Sequence, residues 1–261
     1  MKILSNELAQ HYQVASLQRG YLVFTSFISK HGRILFLDEH LERLLTGADF
    51  LFPEANWTLN HEKLKQYVEN EFKYCSSKIQ ESGYFRLTIF DDNVHFQHHE
   101  LLNSPGSLGV TTAIKLKTPG LLPPFVKLSN YVESDLELVR ARFKNFEDVI
   151  FFDHLHNITE ASTSNLFIVV PDGNILTPAP SSMILDGILR KKLLQNLKMN
   201  GFKIREASVS KTDLLNAKEI WLTNSVKGMR FADCFDEQYF ERKNSLFEKA
   251  IESFGRFGEL A

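Results

Sequence analysis

The segment from Lys127 to Arg190 constrains the fold more than any other part of the chain. It contains a lysine that follows two prolines, a polar stretch around Glu160, and an amphipathic run that begins directly after Gly187. Its apolar patterns predict three strands and one helix: 147–152, 164–170, 174–177 and 184–200. Strands and helices mix here and elsewhere without strict strand–helix–strand alternation. We therefore expect an α+β architecture rather than a doubly wound sheet.

The same patterns predict further elements on both sides of this segment. Before it we expect strands at 20–27, 33–37, 83–90 and 94–98, a helix near Leu41 with Asp38 as N-cap, and a helix after Asn60. Within and after it we expect a helix at 130–144, strands at 203–208 and 219–224, and a final helix at 241–254.

The region from Asn103 to Pro124 is rich in proline and glycine around a predicted strand at 108–116. Such composition is typical of a boundary between lobes. We predict a small N-terminal domain over 1–107, a linker over 108–123 and a large domain over 124–261.

Charge and cysteine content exclude several classes of function. Thirty basic and 32 acidic side chains leave a net charge of −2, so no global field attracts nucleic acid or an anionic membrane. Cys75 and Cys234 match no metal-ligand spacing, and we predict two buried free thiols and no metal site.

Residues 1–7 lack the apolar run of a signal peptide, and no stretch reaches the roughly 18 apolar residues of a membrane span. We expect a cytoplasmic protein.

The helix after Gly187 is a candidate phosphate site. The first N–H groups of a helix, together with its dipole, attract anions, and glycine lets a ligand approach the backbone closely. An ordinary loop glycine before a helix explains the same pattern.

Lys127 and Glu160 are the candidate reactive residues. A lysine amine in an apolar pocket can form a Schiff base with an aldehyde, although most lysines are solvated surface residues. A buried glutamate can pair with a protonated pyridine nitrogen and strengthen the ring as an electron sink, although most glutamates at strand ends are exposed. Tyr131 can donate to a phenolate-like oxygen or serve as an interior tyrosine.

Two further positions carry candidate phosphate contacts. Arg43 projects away from the apolar stripe of its helix, either into solvent or towards a ligand. Thr223, Asn224 and Ser225 end a predicted strand, where they suit phosphate or substrate contact and equally suit a turn.

Taken in order, these segments resemble the fold-type IV pyridoxal-phosphate enzymes, from about Gly20 to Arg230. His40-Leu-Glu-Arg43-Leu resembles the motif that supplies a phosphate-binding arginine, and Thr159-Glu160 resembles the motif that supplies the glutamate at the pyridine nitrogen. The resemblance implies a two-lobe fold with a small N-terminal α/β lobe and a larger β-rich C-terminal lobe. It implies pyridoxal 5′-phosphate as cofactor and a homodimer. The implied cofactor-binding residues are Arg43, Lys127, Tyr131, Glu160, Ile188, Leu189, Asn224 and Ser225.

The choice of reaction depends on shorter motifs. Phe24-Thr25-Ser26 and Thr223-Asn224-Ser225 are similar to the 4-amino-4-deoxychorismate lyases, whereas aminotransferases of this family usually carry a glutamate after the aromatic residue. We therefore expect a lyase that releases pyruvate and 4-aminobenzoate, with Lys127 as catalytic residue and Thr25 or Ser26 assisting. The alternatives are an aminotransferase for branched-chain or D-amino acids, and a non-catalytic binding protein on the same fold.

Overall fold

The computed structural model describes residues 2–3, 19–30, 32–76, 83–100, 108–181 and 183–258. It contains two compact units, the first formed by Met1–Asn103 with Phe125–Tyr131 and the second by Ser104–Pro124 with Val132–Ala261. The predicted linker, 108–123, thus falls in the second unit. Its strand pairs with two other strands of that unit, so its backbone hydrogen bonds are made there.

Among its described residues, the first unit contains a five-stranded sheet and two α-helices. The strands are β1 (Lys2–Ile3), β2 (Val23–Lys30), β3 (Arg33–Ile34), β4 (Gly83–Phe90) and β5 (Asn93–Glu100), in the order β1-β5-β4-β2-β3. The helices are α1 (Leu37–Leu51) and α2 (His61–Ser76). Alternation along β4 buries Phe85, Leu87 and Ile89 in one cluster with Leu41 and Leu44 of α1. This core holds the sheet against the helices.

The first helix begins earlier than predicted. Phe36, in the left-handed region at φ 55°, is the N-cap residue and makes no side-chain capping bond. Asp38 lies in the first turn and pairs with Lys65 of α2 at 2.7 Å. Asp38 is therefore not the cap; its carboxylate contributes instead at the positive end of the helix dipole.

The second unit contains two five-stranded sheets. One has the order β11-β10-β9-β12-β13 and the other β15-β14-β6-β7-β8. The strands are β6 (Gly109–Thr112), β7 (Asp148–Phe152), β8 (Ile158–Ala161), β9 (Asn165–Val169), β10 (Ile175–Pro178), β11 (Ile204–Ala207), β12 (Glu219–Asn224), β13 (Gly228–Phe231), β14 (Cys234–Phe235) and β15 (Gln238–Tyr239). Val110 and Ile150 of one sheet share a buried cluster with Leu166 and Leu222 of the other. Apolar faces of the two sheets therefore pack on each other.

The described residues of the second unit also form four α-helices: α3 (Val132–Arg142), α4 (Ile188–Met199), α5 (Lys211–Leu215) and α6 (Leu246–Gly258). Trp221 of β12 contacts both Phe167 of β9 and Phe247 of α6. Helix α5, which was not predicted, starts with a capping box between Ser210 and Asp213. The helices and sheets confirm the α+β prediction.

Short elements account for most other differences from the predicted structure. Strand β8, with the polar sequence Ile-Thr-Glu-Ala, and strands β13 to β15 were not predicted, because two to four residues carry little periodic signal. Cys75 and Cys234 form no disulfide with each other, as predicted, but both are partly exposed rather than buried. None of the helices in the described ranges is long and apolar enough to cross a membrane.

Candidate active site

Lys127 lies half-buried among aromatic rings of the first unit. Its Nζ is 2.6 Å from the hydroxyl of Tyr131 and 4.7 Å from the ring centroid of Phe24. Strand β2 holds the segment in place, because Phe24 N–H donates to the Lys127 carbonyl and Ser129 N–H donates to the Leu22 carbonyl, both at 2.9 Å. The backbone pairing thus positions the lysine amine beside aromatic side chains and a phenol hydroxyl.

The side chain of Arg86 also lies against the Phe24 ring. The guanidinium of Arg86 is 3.7 Å from the ring centroid of Phe24, and its Nη2 donates to Ser129 Oγ at 2.7 Å. Ser26 pairs with Arg86 in register, so both side chains lie on the Phe24 face of the sheet. This face combines an amine, a guanidinium and the hydroxyl side chains of Ser26, Thr88 and Ser129.

Thr25 lies on the opposite face of β2 and is fully buried. Its Oγ1 is 2.6 Å from Nδ1 of His40 and accepts a hydrogen bond from Arg43 Nη2 at 3.1 Å. Burial, and then the neighbouring charges of Arg43 and Lys127, hold the pKa of His40 well below its usual value. The Thr25 hydroxyl thus shares a hydrogen bond with His40 Nδ1 while it accepts one from Arg43 Nη2. The hydroxyl is therefore engaged in positioning Arg43.

In the second unit, Glu160 makes contacts through both carboxylate oxygens. Oε2 accepts from the Leu185 N–H at 2.9 Å, and Oε1 pairs with Lys117 Nζ. The Lys117 ammonium also lies 5.3 Å from the ring centroid of Phe151 and 3.4 Å from the Met183 carbonyl. The pairing of Lys117 with Glu160 was not predicted. The available signal was the presence of a lysine within the segment from Asn103 to Pro124, which is rich in proline and glycine.

The start of helix α4 is tied to Glu160 through Leu185. The Leu185 carbonyl accepts from Asn165 Nδ2 at 2.8 Å, while its N–H donates to Glu160. A Cβ atom at Gly187 would lie 2.0 Å from Oδ1 of Asn165, so a larger residue there would have to displace the Asn165 amide that donates to Leu185. Since glycine carries no capping side chain, no N-cap side chain competes for the first N–H groups of α4. The helix start is thus a fixed array of donors.

Arg190, in the first turn of α4, anchors this helix start. Its side chain is buried and donates to the Pro178 carbonyl and to Glu206 Oε1, both at 2.7 Å. It also donates to Thr177 Oγ1 at 3.2 Å. Its donors are therefore used to attach α4 to strands β10 and β11.

The end of strand β12 carries one polar atom that lacks a partner. Thr223 is 1% exposed, and its Oγ1 forms no hydrogen bond within the described residues. Thr223 pairs in register with Asn165, whose side chain lies against Gly187. A buried hydroxyl without a partner costs free energy unless a ligand or water satisfies it. This donor fits a phosphate held at the start of α4.

Asn224 stabilises the loop that follows. Its Nδ2 donates to the Thr163 carbonyl and to Ser164 Oγ at 3.2 Å, and its Oδ1 accepts from Val226 N–H at 3.0 Å and Lys227 N–H at 2.6 Å. These bonds engage the amide of Asn224 and fix the position of half-buried Ser225.

Comparison with known proteins identifies the class of protein that carries these two groups of residues. Residues 22–233 match the family described as amino-transferase class IV, and the chain belongs to that family. Its members are pyridoxal-phosphate enzymes of fold type IV. The match confirms the predicted family, cofactor and enzymatic nature of the protein.

Individual relatives include both aminotransferases and a lyase. The mitochondrial branched-chain amino acid aminotransferase 1 of Humulus lupulus is 37% identical over 109 residues, which are 40% of this chain and 27% of that protein. This chain thus spans about a quarter of the hop enzyme's length. An aminodeoxychorismate lyase of Vibrio harveyi is 26% identical over 230 residues, covering 82% of this chain and 83% of the lyase.

A solved structure confirms the fold. A candidate 4-amino-4-deoxychorismate lyase from Legionella pneumophila superposes with a TM-score of 0.81 at 20% identity, over 98% of each chain. At this identity the likeness shows the fold-type IV architecture that the resemblance implied.

Proposed function

We propose that this chain is a 4-amino-4-deoxychorismate lyase that uses pyridoxal 5′-phosphate and releases pyruvate and 4-aminobenzoate. The observation that carries the proposal is the Lys127 amine, half-buried against Phe24 and hydrogen-bonded to Tyr131. The lyase of Vibrio harveyi, aligned over most of both chains, supports this reaction. So does Thr25, which stands where aminotransferases of the family usually carry a glutamate.

Residues of each unit are proposed to bind the cofactor. In the first unit, Lys127 would hold its aldehyde carbon covalently, Tyr131 its ring hydroxyl and Arg43 its phosphate. In the second unit, Glu160 would pair with the ring nitrogen. The proposed phosphate contacts there are the N–H groups of Ile188 and Leu189, the hydroxyl of Ser225, and the loop held by Asn224. The orphaned hydroxyl of Thr223 supports such a site.

The proposed chemistry divides between cofactor and protein. When bound, pyridoxal phosphate supplies an electron sink for the carbon beside the substrate amine. Lys127 Nζ, once the substrate amine displaces it, would take the proton from that carbon; the bond from the ring to the enolpyruvyl oxygen would break, and a proton given to the departing enolpyruvyl group would complete pyruvate. Tyr131 orients Nζ through the 2.6 Å hydrogen bond. Glu160 supplies negative charge to the ring nitrogen, and Lys117 orients the Glu160 carboxylate.

Thr25 and Ser26, predicted as assisting residues, take different proposed roles. Ser26 lies on the Phe24 face with Arg86 and remains the candidate that orients substrate. Thr25 is proposed to orient Arg43, because its hydroxyl joins Arg43 to His40.

Replacing Thr25 with valine tests this role. The loss of one hydrogen bond to Arg43, worth about 0.5–1.5 kcal/mol, predicts that the cofactor dissociation constant rises roughly 2- to 10-fold. The measurement is a cofactor titration followed by absorbance, with thermal unfolding in parallel to detect loss of stability. Thr25→Ser keeps the hydroxyl and should bind as the native protein does. Equal cofactor affinity of the valine and serine variants would contradict the role.

The reaction itself is tested with aminodeoxychorismate as substrate. A lyase releases 4-aminobenzoate without a keto-acid acceptor, whereas an aminotransferase requires an acceptor and performs half-reactions. The aminotransferase alternative is supported by the 37% identity to the hop enzyme over 109 residues.

We further propose a cytoplasmic homodimer. Cys75 and Cys234 form no disulfide with each other, which is typical of proteins in a reducing compartment. Exposed apolar side chains on helix α3 support self-association.

A further inference from the structure

Strand β13 carries an arginine whose hydrogen-bonding capacity is only partly used. Arg230 Nη2 donates to Ser164 Oγ at 3.2 Å and to Asp148 Oδ2 at 3.4 Å. Its Nε is buried and forms no hydrogen bond within the described residues. Arg190, by contrast, makes two bonds of 2.7 Å, one to a carbonyl and one to a carboxylate. The guanidinium of Arg230 therefore keeps a donor that its neighbours leave unsatisfied.

The contact of Asp148 with Arg230 is weak because Asp148 binds mainly to other donors. Its Oδ1 accepts from the Val149 N–H at 2.9 Å, and from the N–H and the hydroxyl of Ser162 at 3.1 and 2.5 Å. Strong pairs of an arginine and a carboxylate form two parallel hydrogen bonds. Here only Oδ2 is directed at Arg230, so the guanidinium can accept a further anionic partner.

Lys227 adds a second positive charge beside Arg230. It lies in the turn between β12 and β13, where its N–H donates to Asn224 Oδ1 at 2.6 Å. Desolvation, and then the charge of Arg230, lower the pKa of the Lys227 amine. Asp148 opposes this shift, and Arg142 adds to it. An anion between the cations would relieve their repulsion.

Arg142, the last residue of helix α3, supplies the third positive charge. Its neighbour Ala141 shares a buried cluster with Val149, the residue after Asp148, so α3 ends near the start of β7. We call Arg142, Lys227 and Arg230 the basic cluster. Together with Asp148, these three side chains carry a net charge of +2.

Arg230 faces away from the candidate phosphate site. It pairs in register with Leu222, so its side chain lies on the face of the sheet that packs in the buried cluster between the two sheets. Thr223 lies on the other face with Asn165, whose amide donates to the Leu185 carbonyl before α4. A ligand at Arg230 is therefore distinct from one held at the start of α4.

We propose that the basic cluster is a second anion site, which takes a small divalent oxyanion such as inorganic phosphate. Two guanidinium groups and an ammonium supply donors for several oxygens of one ligand. The net charge of +2 complements a divalent anion. The proposal is independent of the proposed reaction, since none of the three side chains belongs to the proposed cofactor site.

A calorimetric titration of the cofactor-loaded protein with inorganic phosphate tests the site, because the cofactor then fills the candidate site at α4. At constant ionic strength the native protein should show saturable binding of phosphate, and weaker binding of monovalent acetate. Lys227→Met and Arg142→Met should each raise the phosphate dissociation constant about two- to fivefold, as expected for exposed charges. Arg230→Met should raise it about tenfold.

Two controls separate a built site from general attraction of anions. Lys227→Arg keeps the charge and should bind phosphate as the native protein does. Lys198→Met removes an exposed lysine from the last turn of α4 and should leave the dissociation constant unchanged. Lys227 and Arg142 are exposed, so their variants test the site even where Arg230→Met does not fold.

Three results would overturn the proposal. They are phosphate binding that does not saturate, acetate binding as tight as that of phosphate, and a Lys227→Met protein that binds phosphate as tightly as Lys198→Met does. Saturable phosphate binding that weakens in Lys227→Met and Arg142→Met, and is kept in Lys227→Arg, is the expected result.

Discussion

Lys127→Ala protein is expected to hold no covalently attached pyridoxal phosphate and to lose lyase activity. The lost proton transfer at Nζ alone predicts a fall in kcat of about 10²- to 10⁴-fold. The measurement combines steady-state rates with borohydride reduction and peptide mapping. In the native protein the reduced cofactor should be found on the peptide that contains Lys127.

The control for this variant is Lys30→Ala. Lys30 is an exposed lysine of β2 in the same unit, and its removal should change neither the absorbance nor the rate. Lys127→Arg keeps the positive charge beside Phe24 and Tyr131, yet it cannot form the covalent bond. Retention of borohydride-reducible cofactor by either Lys127 variant would contradict the assignment.

Glu160→Gln should lower the rate by about 10²- to 10³-fold, the usual loss when one electrostatic contact to the reacting system is removed. The amide keeps the shape of the carboxylate and can still accept from Leu185 N–H through its oxygen. It removes the negative charge that we propose for the ring nitrogen. Rates and cofactor absorbance of the loaded protein measure the effect.

Two companion variants show whether this effect is specific. Asp38→Asn removes the acid of another lysine–carboxylate pair, at 2.7 Å from Lys65, and should leave the rate unchanged. Lys117→Met keeps the Glu160 carboxylate but removes its cationic partner, and we expect a smaller rate loss than for Glu160→Gln. A Glu160→Gln enzyme as fast as the Asp38→Asn enzyme would contradict the role of Glu160.

The long elements could be predicted from the sequence because their periodicity is strong. Helix α1 has apolar residues at Leu41, Leu44 and Leu45, and all three are buried as expected. Strand β4 alternates Phe85, Leu87 and Ile89 with polar residues and was predicted with the observed limits. Strand β8 could not be predicted, since four residues containing threonine and glutamate do not alternate clearly.

The partners of the candidate residues were harder to predict than the residues themselves. Lys117 and Glu160 are 43 positions apart, and no local pattern indicates that they pair. For Asn224, turn chemistry explained the pattern nearly as well as a ligand contact did, and the structure shows four hydrogen bonds that serve the loop. Such long-range contacts depend on packing between elements, which a single sequence does not encode locally.

Thr25 illustrates an inference that strand alternation could have supplied. Val23, Thr25 and Phe27 alternate with Phe24 and Ser26 along β2, so Thr25 shares the face of the buried apolar residues. Family resemblance grouped Thr25 with Ser26 as an assisting residue. The structure separates them, because the Thr25 hydroxyl is engaged by His40 and Arg43.

The most direct test of the account is the reaction of the cofactor-loaded protein with aminodeoxychorismate in the absence of any keto acid. Release of 4-aminobenzoate and pyruvate in equal amounts, lost in Lys127→Ala, is the predicted result. An enzyme that forms no 4-aminobenzoate, but converts branched-chain or D-amino acids once a keto acid is added, would contradict the lyase assignment.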